Sequence, residues 1–133
     1  MPPNGAKHTA LSFKYAFSGV RKALREEPKL RIHFVAGVLV ILAGFFFNIS
    51  KEDWIIIIIL TGLVISVELT NTAIEVVVNQ FTSQEHPGAE LAKDISAGAV
   101  LVVAITSALV GLVIFAPHYL WAVIILRKCG KIL

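Results

Sequence analysis

Three apolar segments, each long enough to cross a lipid bilayer, dominate this sequence and limit what it can fold into. We predict membrane helices at residues 30–50, 54–79 and 95–116, because about 20 helical residues cross the roughly 30 Å of hydrocarbon. Only 16% of the residues are charged, whereas a soluble domain carries about 25%. The sequence therefore predicts one all-α integral membrane domain over residues 1–133.

The residues before the first span predict a helix that lies on the membrane surface. Over about residues 7–27, apolar side chains such as Phe13 and Phe17 recur at helical spacing, and basic side chains such as Arg21 occupy another face. A basic amphipathic helix of this kind binds in the plane of the interface.

Lys and Arg residues set the expected orientation. They are concentrated before the first span, whereas the turn after that span holds only Lys51. Because basic residues favour the cytoplasmic side, we expect the N-terminus and the second connection to be cytoplasmic. Pro117 interrupts the last apolar run, so residues 117–133 are expected to form an interfacial helix or a loosely ordered tail.

A polar stripe runs along the second span. Glu68, Asn71, Thr72, Glu75 and Asn79 fall at i, i+3, i+4, i+7 and i+11, which is one face of a helix. Acidic side chains inside a membrane span are costly and mark functional sites. Two carboxylates and two amides on one face suit a divalent cation or a proton transfer.

The depth of the two acids follows from the interface anchor Trp54. At about 1.5 Å per residue, Glu68 lies roughly 9 Å short of the cytoplasmic boundary and Glu75 lies close to it. The two carboxylates therefore lie where an aqueous reagent and a lipid headgroup can meet.

The polar stripe and the residues after it resemble a known family. Residues 67–79 (VELTNTAIEVVVN), 85–87 (EHP) and 92–101 (AKDISAGAVL) are similar to the prokaryotic diacylglycerol kinase family, which includes undecaprenol kinases. The resemblance covers about residues 12 to 115. It implies ATP-dependent phosphorylation of a lipid hydroxyl at the cytoplasmic surface of a bacterial inner membrane. It also implies a homotrimer with sites shared between subunits, and no nucleic-acid partner.

The lipid could be diacylglycerol or undecaprenol. Residues 12–21, 31–33 and 44–50 resemble the undecaprenol kinase branch more than the diacylglycerol kinase branch, so we expect undecaprenol ahead of diacylglycerol. An apolar pocket discriminates weakly between long lipid tails.

The resemblance also implies roles for individual residues. Glu68 matches the general base, and Glu27 with Glu75 matches the ligands of Mg²⁺. The positions that match the nucleotide site are Tyr15, Asn71, Gln84, Glu85, His86, Lys93 and Asp94. Independently of the resemblance, Asp94 is predicted to be the N-cap of the third span. His86 is predicted to be an ordinary turn residue before a proline.

Asn79 departs from the family pattern, which commonly has Asp at this position. The amide keeps a hydrogen-bonding oxygen but loses a negative charge. We expect the chain to retain activity, and a weaker metal–nucleotide site is the alternative consequence.

Three functions compete on these residues. A lipid kinase fits the acids near one surface, because phosphoryl transfer requires mainly positioning and charge neutralisation and Mg²⁺ needs only a couple of carboxylates. A small proton- or ion-translocating subunit would use acids spread across the membrane depth. A structural or assembly protein would leave the polar stripe without a purpose.

Overall fold

The computed structural model describes residues 5–81 and 86–129. These residues form four helices: α1 (Gly5–Glu26), α2 (Pro28–Phe47), α3 (Lys51–Phe81) and α4 (Pro87–Cys129). The helices α2 and α3 and the Pro87–Leu120 part of α4 are long and apolar enough to cross a membrane. The predicted all-α membrane fold, with one N-terminal helix before three spans, is confirmed.

The turn between α2 and α3 is short, because α2 ends at Phe47 and α3 begins at Lys51. Asn48 ends α2 in the left-handed region (φ 49°, ψ 54°), where its N–H donates to the Phe45 carbonyl at 3.3 Å. Ser50 then caps α3, because its Oγ accepts a hydrogen bond from the Asp53 N–H at 3.1 Å. These two caps reverse the chain within three residues.

The connection between α3 and α4 is shorter than predicted, because α4 begins at Pro87 rather than at residue 95. His86 provides the cap: its Nδ1 accepts a hydrogen bond from the Gly88 N–H at 3.1 Å. Proline is favoured in the first turn of a helix, where its missing N–H costs nothing. Asp94 therefore lies inside α4, and its interpretation as a helix N-cap is wrong.

The helix α4 also ends later than predicted. It continues through Pro117 to Cys129, so a separate interfacial helix or tail beginning at residue 117 is wrong for the described residues. Membrane helices tolerate proline where nearby groups satisfy the backbone. The missing Pro117 N–H leaves the Val113 carbonyl without its helical donor, and the His118 Nδ1 lies 2.9 Å from the adjacent Ile114 carbonyl oxygen.

The junction between α1 and α2 is fixed by one side chain. Glu27 is extended (φ −104°, ψ 108°) and separates the two helices, close to the end at residue 27 predicted for the surface helix. The Arg31 guanidinium donates to the carbonyls of Leu24, at 2.9 Å, and of Arg25. These carbonyls belong to the last turn of α1, so Arg31 caps that helix.

The helix α3 packs mainly against α4 and next against α2. Ile57 and Val64 are buried seven residues apart, and Asn71 continues the same face. On α2, Gly37 allows close approach, because a Cβ there would lie 2.8 Å from Thr61 Cγ2. Small residues at such contacts are typical of membrane helices. The polar stripe therefore continues the face of α3 that packs within the bundle.

Candidate active site

Glu68 is the most enclosed ionisable group of the polar stripe. It is 2% exposed, on the face of α3 that packs within the bundle. Its Oε1 has no hydrogen-bond partner among the described residues, and its Oε2 lies 3.9 Å from His33 Nε2 on α2. Buried polar atoms are nearly always paired, so an unpaired carboxylate oxygen is a candidate for contact with a substrate.

Asn71 connects Glu75 to α4. Its side chain is 3% exposed; its Nδ2 donates to Glu75 Oε1 at 3.1 Å, and its Oδ1 accepts from the Ser96 hydroxyl at 2.7 Å. Both ends of the amide are therefore satisfied, and its orientation is fixed. Asn71 holds Glu75 in place and joins α3 to α4.

Glu75 lies further along the stripe and is partly open, with 22% of its side chain exposed. Lys29 donates to Glu75 Oε1 at 3.2 Å, across 46 residues of sequence. This contact brings the start of α2, and so the neighbourhood of Glu27, next to Glu75. The Glu27 side chain makes no capping hydrogen bond to α2, so helix capping does not occupy its carboxylate.

Asn79 lies one turn beyond Glu75 and is exposed. Its Oδ1 accepts a hydrogen bond from Lys93 Nζ at 3.1 Å. Asn79, which departs from the family pattern, therefore contacts Lys93, which the resemblance assigns to the nucleotide site.

The other residues that the resemblance assigns to the nucleotide site are less closely connected to Glu68 and Glu75. Tyr15 lies on α1 with its side chain 70% exposed, and the side chains of His86 and Asp94 are exposed on α4 and its cap. The described hydrogen bonds do not join these three residues to Glu68 or Glu75. Gln84 and Glu85 lie outside the described residues.

Three site residues were not assigned roles from the sequence: Lys29, His33 and Ser96. Ser96 could have been found from spacing, because Ser96, Val100 and Val103 are buried at i, i+4 and i+7 on α4. The positions of the other two depend on how α2 is aligned with α3, and the sequence carries no local signal for that alignment.

The donor set fits Mg²⁺ bound jointly with a phosphorylated ligand. Among the described residues, no cluster of three or more His, Cys, Asp or Glu side chains could hold a metal alone. Mg²⁺ is usually bound by one or two carboxylates together with phosphate oxygens and water. Glu75 already pairs with a cation, the Lys29 ammonium. Glu27 lies two residues before the same lysine in the sequence.

Residues 14–115 of this chain match the sequence model of the family "Prokaryotic diacylglycerol kinase". A protein of Bacillus subtilis (strain 168) named undecaprenol kinase is 42% identical over 106 residues, 80% of this chain and 86% of that protein. A diacylglycerol kinase of Synechocystis sp. is 37% identical over 116 residues, 86% of this chain and 66% of that protein. A diacylglycerol kinase of Escherichia coli (strain K12) is 29% identical over 105 residues, 79% of this chain and 86% of that protein. These matches do not support a proton- or ion-translocating subunit.

Proposed function

Because this chain belongs to the prokaryotic diacylglycerol kinase family, we propose that it transfers the γ-phosphoryl group of ATP to the hydroxyl of a membrane lipid alcohol. The observation that carries the proposal is Glu68, a buried carboxylate with an unpaired oxygen. It lies at the inner end of a polar network whose outer end, at Glu75, is partly exposed. In this arrangement the Glu68 end of the network can contact a lipid hydroxyl, and the Glu75 end can contact a water-soluble nucleotide.

Glu68 acts as the general base in this proposal. The lipid oxygen forms a bond to the γ-phosphorus, the bond from phosphorus to the ADP oxygen breaks, and the hydroxyl proton passes to the Glu68 carboxylate. The unpaired Oε1 is the atom that receives the proton. Proton transfer by a positioned side chain contributes about 10²- to 10⁴-fold in rate.

Mg²⁺ is the cofactor that we propose, with Glu27 and Glu75 as its protein ligands. The metal, when bound, neutralises charge on the phosphates of ATP. Asn71 supports this role from the protein side, because its amide fixes the orientation of the Glu75 carboxylate. Lys29 then has to share Glu75 with the metal or release it.

The nucleotide is proposed to bind across the network and the surface around it. Lys93 provides positive charge for a phosphate, and its contact with Asn79 holds the ammonium near the end of α3. Tyr15, His86 and Asp94 are exposed and open to an aqueous ligand. Gln84 and Glu85 stay predictions from the resemblance.

The lipid chain is proposed to lie in a groove of about 780 Å³ between α2, α3 and α4. His33 lines the groove near Glu68, and Phe47 lines it fourteen residues further along α2. The rest of the lining is mostly apolar and includes Val40, Leu60 and Ala108. Hydrocarbon is the occupant that such a lining favours.

We propose undecaprenol ahead of diacylglycerol as the lipid. The undecaprenol kinase of Bacillus subtilis is 42% identical to this chain, whereas the diacylglycerol kinase of Escherichia coli is 29% identical. Rates measured in parallel on both alcohols with purified protein would decide between them. A higher kcat/KM on diacylglycerol would overturn this order.

We also propose a cytoplasmic N-terminus and a homotrimer with shared sites. The exposed Tyr15 on α1 supports sharing, because its side chain is open to a neighbouring subunit. Co-assembly of Tyr15→Leu subunits with Glu68→Gln subunits should restore activity that neither variant has alone. A monomeric mass in detergent, or no restoration on mixing, would contradict the shared site.

The central test is Glu68→Gln in a lipid kinase assay with Mg-ATP in mixed micelles. The amide has the same shape but is not a base, so the rate should fall about 10²- to 10⁴-fold while nucleotide binding is kept. Glu52→Gln, at the exposed start of α3, is the matched control and should retain activity. A Glu68→Gln rate within a few-fold of wild type would remove Glu68 from this role.

A further inference from the structure

We infer that His33 is a positioning residue of this reaction, a role that rests on the proposed kinase function. Its imidazole holds one oxygen of the Glu68 carboxylate, which leaves the other oxygen to accept the proton of the lipid hydroxyl. His33 lies on α2, an element to which the sequence assigned no part in proton transfer.

The geometry places the imidazole on one side of the carboxylate only. His33 Nε2 lies 3.9 Å from Glu68 Oε2, while Oε1 has no hydrogen-bond partner in the part of the chain that the structure describes. A separation of 3.9 Å is within ion-pair range but longer than a hydrogen bond. Catalytic hydrogen bonds are often long in ligand-free structures and shorten when the substrate binds.

A cation beside this carboxylate meets a physical need. Glu68 is 2% exposed, and a buried anion is costly unless an opposite charge compensates it. A general base has to be ionised before it can accept a proton. The His33 ring, 3.9 Å from Glu68 Oε2, is the group placed to provide that compensation across the boundary between α2 and α3.

The neighbouring lysines on the packed helices have other partners. Lys29, on α2, donates to Glu75 at 3.2 Å, and Lys93, on α4, donates to Asn79 at 3.1 Å. Among the described residues, His33 is therefore the basic side chain within 4.0 Å of the buried carboxylate.

The remaining charged groups near this end are also placed away from the pair. Arg31 donates to the last carbonyls of α1. Glu26 and Glu27, at the junction of α1 and α2, are one to two turns before His33, and Asp94 is exposed on α4. None of these groups forms an ion pair with Glu68 or His33 among the described residues.

The other surface of His33 faces the groove proposed for the lipid chain. His33 is a lining residue of that groove, and 24% of its side chain is exposed. A lipid alcohol in the groove would therefore carry its hydroxyl past the imidazole to reach Glu68. His33 lies between the substrate and the base, where a shift of the carboxylate would change the rate of transfer.

The test compares His33→Gln and His33→Lys with wild type by kcat, KM for Mg-ATP and KM for the lipid. Glutamine keeps a hydrogen-bond donor but cannot carry a charge. We expect kcat to fall on the order of 10- to 100-fold, with KM for Mg-ATP within twofold of wild type.

Lysine places a cation at this position, so His33→Lys should recover more of the rate than His33→Gln. The matched control is His118→Gln, which removes a half-buried histidine of α4 that contacts a carbonyl of its own helix. That variant should keep the wild-type kcat. Gel filtration in detergent confirms that each variant is folded.

Two results would overturn the inference. One is a kcat of His33→Gln within twofold of wild type. The other is an equal loss of kcat in both His33 variants, which would mean that His33 only packs. Both are read against active wild-type protein, so they leave the proposed function intact. A wild-type protein that phosphorylates no lipid alcohol would instead overturn the proposed function and this inference together.

Discussion

The contact between Lys29 and Glu75 leads to a prediction about magnesium. If Glu75 is a metal ligand, the Lys29 ammonium at 3.2 Å competes with the metal for the same carboxylate. Replacing Lys29 with Met keeps the length of the aliphatic side chain and removes the charge. The variant should therefore need less Mg²⁺ to reach half of its maximal rate.

The size of the effect follows from how exposed the pair is. At 3.2 Å, two unit charges interact by about 1 kcal/mol in water and about 5 kcal/mol at an effective dielectric constant of 20. Because 61% of the lysine side chain is exposed, the value lies near the water limit, and exposed pairs measure about 0.2–1 kcal/mol. One kcal/mol corresponds to roughly a fivefold change in binding, so we expect a reduction of up to about fivefold.

The assay is a titration of the initial rate against free Mg²⁺ at saturating ATP, followed by a titration against ATP at saturating Mg²⁺. Lys51→Met is the matched control, since it removes the same charge at the opposite end of the bundle, in the first turn of α3. A higher Mg²⁺ requirement in Lys29→Met would refute competition. A raised KM for ATP with an unchanged Mg²⁺ curve would mean that Lys29 contacts the phosphates instead.

Three further outcomes are expected. Glu27→Gln should raise the Mg²⁺ concentration needed for half-maximal rate, and an unchanged magnesium titration would exclude it as a ligand. Asn79→Asp should lower the apparent KM for Mg-ATP if the added charge strengthens the metal–nucleotide site. Because the residue contacts Lys93 at 3.1 Å, a KM that rises instead would show that the new carboxylate neutralises this lysine. Gly37→Val should lower the thermal stability in detergent, because even a Cβ would lie 2.8 Å from Thr61 and overpacking typically costs about 1–3 kcal/mol. An unchanged melting temperature would show that α2 can move away from α3.

Much of the fold could be predicted from the sequence because the relevant signals are local. The length of an apolar run decides whether a helix can span, and the 3.6-residue period places Glu68, Asn71 and Glu75 on one face whatever the rest of the chain does. The turn at Asn48 and Ser50 is also local. These features need no knowledge of which helix lies beside which.

Two helix boundaries were missed, for different reasons. Hydropathy places the third span at residues 95–116, but His86 caps the first turn and α4 starts at Pro87. At the other end, Pro117 is predicted to end the span, whereas α4 continues through it to Cys129. A hydropathy window does not respond to the His86 cap, and a membrane helix can contain a proline without ending there.

The site itself was decided by the alignment of one helix against another. The contact of Lys29 with Glu75 joins residues 46 positions apart, and that of Ser96 with Asn71 joins residues 25 positions apart. Rotating α2 by one residue would turn His33 about 100° away from Glu68 without changing any helical pattern in the sequence. The sequence alone determined which groups lie on the polar face of α3. The packing of α2 and α4 decided which of these groups are paired, and it left Glu68 Oε1 without a hydrogen-bond partner among residues 5–81 and 86–129. The reason is that contacts between helices depend on register and not on composition.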